Sequence, residues 1–111
     1  MDKDFAVKKE LENDGQSIFL IFDEFYDLYV AFGLSAYYST MVVEPILTYS
    51  ESLNLPIAFF DKTQIRFLRQ SLKKVEHTPH RSYEFRTRIP IGKSGYEKWR
   101  NEVKVKHESI I

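Results

Sequence analysis

The longest uninterrupted apolar run in the chain is Ile18-Phe19-Leu20-Ile21-Phe22. It is far short of the ~20 residues needed to cross a bilayer. Its residue types favour strand over helix. There is no cysteine among the 111 residues. That excludes a disulfide framework, thiolate zinc sites and cysteine nucleophiles. The length fits one domain over residues 1–111, which buries roughly two thirds of the surface its unfolded chain exposes. Such a chain can fold on one core without staples. It opens Met1-Asp2-Lys3-Asp4, without the basic-then-apolar design of a signal peptide, and the expected location is cytoplasmic.

Aromatic residues make up 15% of the chain, with nine Phe, seven Tyr and one Trp. An aromatic core is expected, with some of the excess facing a partner. Net charge is zero, yet the charges are segregated. Residues 1–60 hold three basic and ten acidic residues (−7), and residues 61–111 hold thirteen and six (+7). Three arrangements produce such asymmetry: pairing of the halves within the fold, self-association of unlike surfaces, or an acidic partner for the second half.

The element order reads as follows. Residues 3–12 suit a short helix with Phe5, Ala6 and Leu11 on its apolar side. A strand with Phe5, Val7 and Leu11 alternating, turned at Asp14-Gly15, is the rival reading. Residues 18–22, the alternating stretch 26–32 and residues 36–43 suit three strands of an antiparallel meander. A helix over 18–32 competes, and it would cluster Asp23, Glu24 and Asp27 on one face. The Phe, Tyr, Ile and Val content favours strands. Pro45 suits the first position of a helix over 45–53, followed by an extended Leu55–Phe60. Asp61 with Gln64 resembles a capping box opening a helix to about Glu76. Ile65, Leu68, Leu72 and Val75 share its apolar face, Lys62, Arg66, Arg69 and Lys73 form a basic stripe beside it, and Phe67 falls off the apolar face. Residues 82–91 alternate as a strand, with Tyr83, Phe85, Thr87, Ile89 and Ile91 on one side and Ser82, Glu84, Arg86 and Arg88 on the other. Pro90 marks it as an edge. Ser94 with Glu97 resembles a second capping box, opening a helix over 95–107, and Tyr96, Trp99, Val103 and Ile110 share its core face. The expected fold is α+β: an antiparallel sheet of about four strands with three to four helices packed on one side.

Three groupings of side chains are candidates for chemistry. The cations of the second half suit phosphate or an acidic surface, although a neutral chain is unlike a dedicated nucleic-acid binder. Two histidines three apart in Glu76-His77-Thr78-Pro79-His80, with His107 elsewhere, are a weak zinc or acid–base signal in a proline loop. Asp23, Glu24 and Asp27 lack calcium-loop spacing, and a charged turn accounts for them equally well. Lys93-Ser94 is only a fragment of a phosphate-loop pattern.

No catalytic motif, cofactor or metal site is expected. Together these features point to a non-enzymatic protein that works by protein–protein contact. A small inhibitor, an immunity or antitoxin-like protein, a phage accessory factor and a regulatory subunit all fit. The expected contact residues are Arg66, Phe67, Arg69, Arg86, Arg88 and Lys93, and the expected partner is a protein with an acidic surface. A second copy pairing along the strand edge is a further possibility. A nucleic-acid-associated protein is the alternative, and a small enzyme using His77 and His80 is the third.

Overall fold

The computed structural model describes residues 3–75, 81–87 and 93–110. Helix α1 spans Lys3–Leu11, β1 Ser17–Asp23, β2 Leu28–Phe32, α2 Gly33–Ser39, β3 Ile46–Ser50 and β4 Leu55–Phe60. Helix α3 follows at Lys62–Ser71, then β5 at Lys73–Lys74, β6 at Ser82–Arg86 and α4 at Tyr96–Ile110. The six strands form one antiparallel sheet in the order β3-β4-β2-β1-β6-β5.

The apolar run lies in β1, where five consecutive residues from Ile18 to Phe22 are buried. A run buried at every position needs cover on both faces. Ile18 and Leu20 join Ala31, Ala58, Phe60, Phe85, Ile65 and Leu68 in the main core, which takes in α2 and α3. Tyr96 and Trp99 of α4 pack against the same core. Phe19 and Ile21 point the other way, with Val30 and Phe32, and meet Ala6 and Phe5 of α1. The Phe5 and Phe19 rings lie edge to face at 5.6 Å. The helices therefore cover both faces, three against one, rather than a single side as the sequence pattern suggests.

Three elements differ from the sequence-based expectation. Residues 36–39 lie in α2 rather than in a third strand of the meander, and the cause is tertiary. Phe32 precedes the helix without any side-chain cap. The Glu10 carboxylate of α1 instead accepts hydrogen bonds from the Leu34 N–H (2.7 Å) and the Ser35 N–H (3.4 Å). Gly33 supplies the left-handed step into the helix (φ +57°), and a Cβ there would collide with the Glu10 carboxylate. Residues 46–50 form β3 rather than a helix. Ile46, Thr48 and Tyr49 suit a strand, and β3 pairs with β4 from Ile46↔Phe59 to Ser50↔Leu55. Finally, α3 stops at Ser71. Leu72 is extended (φ −126°, ψ 158°), and Lys73 and Lys74 pair with Arg86 and Phe85.

That pairing also corrects the edge assignment. β6 has β1 on one side and β5 on the other, so its backbone is not free along that stretch. Pro90 and Arg88 lie outside the described residues. The sheet ends instead at β3 and at the two-residue β5. The Asp61 capping box forms as its spacing predicts. The Gln64 N–H donates to Asp61 Oδ1 at 2.8 Å, and the Asp61 N–H donates to Gln64 Oε1 at 3.0 Å. Among the described residues no helix is long and apolar enough to cross a membrane.

Candidate functional site

The cap at Asp61 fixes the rotational setting of α3. With Ile65 and Leu68 turned into the core, Lys62, Arg66 and Arg69 are carried on the adjacent stripe, all exposed. Opposite them the sheet contributes Phe22 from β1, Tyr29 from β2 and Tyr83 from β6. Arg81, just before β6, and Asp27, from the β1–β2 turn, complete a hollow of about 330 Å³.

Arg81 adopts a left-handed backbone (φ +55°), as does Asp27 (φ +56°). Such a conformation is uncommon for arginine and tolerated by aspartate. The Arg81 carbonyl accepts a hydrogen bond from the Phe22 N–H (2.9 Å). Its guanidinium lies 3.9 Å from the centre of the Phe22 ring, close enough for a cation–π contact. Arg69 sits 5.8 Å over the Tyr83 ring, and Tyr29 and Tyr83 lie 5.4 Å apart. Burial, followed by the charge and hydroxyl of neighbouring Tyr83, pushes the Tyr29 phenol above its ordinary pKa. It stays protonated at neutral pH.

Four cations thus surround one hollow, and among the described residues Asp27 is the carboxylate in its lining. Arg81 reaches Glu24 only at 4.0 Å, with both side chains about half exposed. Among the described residues no carboxylate lies within 4.0 Å of the charged groups of Lys62, Arg66 or Arg69. Like charges in excess of their carboxylate partners repel one another, and an anion entering between them relieves that repulsion.

The other expected contact residues are placed elsewhere. Phe67 is half exposed on α3 and does not line the hollow. Arg86 lies on the opposite face of the sheet and is engaged. It donates to Ser17 Oγ (2.7 Å), Asp14 Oδ2 (3.1 Å) and Gln16 Oε1 (3.2 Å). The Arg86 hydrogen bond holds the Asp14 carboxyl below its usual range. This ion pair joins the acidic first half to the basic second half, so part of the charge segregation is satisfied internally. Lys93 lines a separate cleft of about 390 Å³ with Glu10, Tyr96 and Arg100.

Burial raises Glu10 to about 7, against the lowering effect of the Leu34 and Ser35 N–H groups and of Lys93. A carboxyl titrating near neutrality in a cleft is also the pattern of a general acid or base. Here both of its oxygens are occupied with capping α2, which accounts for its position.

His77 and His80 lie outside the described residues. His107 is near Thr48 Oγ1 (3.4 Å) and Glu51 (3.8 Å). Among the described residues no group of three His, Asp or Glu side chains is placed to hold a metal ion. Asp23 serves the β1–β2 turn, accepting from the Phe25 N–H at 2.9 Å and the Tyr26 N–H at 3.4 Å. That turn leaves Phe25 86% exposed beside Asp27, an aromatic tip which the acidic neighbours obscure in the sequence. Arg81, Tyr29 and Tyr83 are likewise absent from the expected contact set. The alternation placed Tyr83 on an inward face but gave no sign that a helix would hold a cavity open above it. Comparison with protein-family models, curated proteins and solved structures found no match.

Proposed function

We propose that this protein is a non-enzymatic binding protein, of the inhibitor, immunity-like or regulatory kind, that grips an acidic surface of a protein partner with the α3 face. The carrying observation is the gathering of Lys62, Arg66, Arg69 and Arg81 around one hollow, with Asp27 in its lining and Glu24 at 4.0 Å from Arg81 as the opposing carboxylates among the described residues. Exposed Phe67 and Phe25 supply apolar contact area near this face, matching the arginine-plus-aromatic composition of binding hot spots. The lack of cysteine fits work in the reducing cytoplasm.

Reversing two exposed charges, Arg66→Glu with Arg69→Glu, tests the reading. Neither side chain is in the core, so the melting temperature should stay within a few degrees of wild type. Recovery of the partner from native-host extract should fall at least tenfold, because rim and pocket charges set both attraction and salt dependence. Wild-type recovery should itself drop as salt rises from 50 to 300 mM. Equal recovery by both proteins at low salt sinks the proposal. The stacking-capable tyrosines beside cations also suit nucleic acid. A partner that disappears on nuclease treatment decides for that second reading.

A further inference from the structure

We propose that the α3 hollow recognises a phosphate monoester, presented by a phosphorylated side chain of the partner protein. The inference rests on the reading of this face as the contact surface and adds the chemistry of what enters it. One guanidinium already matches one carboxylate in a two-pronged contact. Three arginines and a lysine exceed what a single Asp or Glu needs, even after Asp27 and the Glu24 that reaches Arg81 at 4.0 Å offset two of the charges. A phosphate dianion with three terminal oxygens accepts from several of these donors at once.

The geometry adds two further arguments. The cations line a concavity of about 330 Å³, which admits one compact group. Its floor is aromatic, with Phe22 and Tyr29 at 5.2 Å and Tyr29 and Tyr83 at 5.4 Å. Arg81 and Arg69 are braced on the Phe22 and Tyr83 rings. Arginines held on ring faces lose less freedom on binding than free ones, which favours a preorganised anion site.

Titrating the full-length protein with inorganic phosphate, against sodium chloride at equal ionic strength, is the direct test. Phosphate should raise the melting temperature with the logarithm of its concentration, by about 5 °C once it is about tenfold above its dissociation constant. Chloride should not. The shift should vanish in Arg66→Gln with Arg69→Gln, and Lys62→Gln should weaken it severalfold. O-phosphotyrosine or O-phosphoserine should displace inorganic phosphate, while the unphosphorylated amino acids should not. Identical effects of phosphate and chloride, or an unchanged shift in the double variant, overturn the inference. Adenosine monophosphate binding more than tenfold tighter than either phosphoamino acid overturns the side-chain source. If phosphate fails to bind while the charge-reversed protein still loses its acidic partner, the contact-surface reading stands and this inference alone falls.

Discussion

Phe60→Ala is expected to cost about 3–5 kcal/mol of unfolding free energy, the range for emptying a buried aromatic site. Phe60 ends β4 and has no exposed surface. It pairs with Tyr29 in the sheet register and belongs to the same buried cluster as Ile65 and Leu68 of α3. The cavity would open where α3 rests on the sheet. That loss is a large share of the ~5–15 kcal/mol that holds a typical domain. Urea unfolding measures it directly. A loss under 1 kcal/mol would mean that α3 does not pack on β4 in this way. The variant should also bind its partner less well, because the hollow exists only while α3 is docked.

Stability should fall as pH rises from about 5 to 8, and Glu10→Gln should remove most of that fall. Glu10 titrates near 7 in the folded protein against 4.5 for an ordinary glutamate. Between those two values the folded state holds a proton that the unfolded state has released. Stability therefore decreases with pH across this window and levels off above it. The size is about 2–3 kcal/mol at most, since the side chain keeps some access to solvent. Glutamine retains an oxygen acceptor for the Leu34 N–H without the buried charge. The two proteins should have similar stability at pH 5, and Glu10→Gln should be the more stable at pH 8. Asp14 and Glu24, both held below their usual range, contribute a rise from low pH that both proteins share. If Glu10→Gln is instead the weaker protein at pH 8, the carboxylate's attraction to the α2 N-terminus outweighs its desolvation.

The elements legible in the sequence are those whose signals are local. The Asp61 and Gln64 box predicts α3 because both bonds close within four residues. The β1 run and the alternation of β6 are periodic patterns that the sheet keeps. The misread elements depend on distant partners. α2 is capped by Glu10 from a different helix and is buried at six of its seven positions, so it shows no amphipathic period. Its Tyr and Ser content resembles strand. β3 follows Pro45, which opens helices as readily as it precedes strands, and only pairing with β4 decides. β5 is too short to leave any pattern.

The candidate site was half legible for the same reason. The stripe Lys62, Arg66 and Arg69 follows from helical spacing. Arg81 joins it only because the chain folds β6 beside β1, and Arg86 leaves it because alternation places that residue on the face where Asp14 waits.

Amide hydrogen exchange on the purified complex with the native partner tests the central claim most directly. The account predicts slowed exchange over residues 62–69, 25–30 and 81–83 on binding, with exchange elsewhere unchanged. Protection confined to Ile46–Ser50 on the free β3 edge, with α3 exchanging as in the unbound protein, would contradict it.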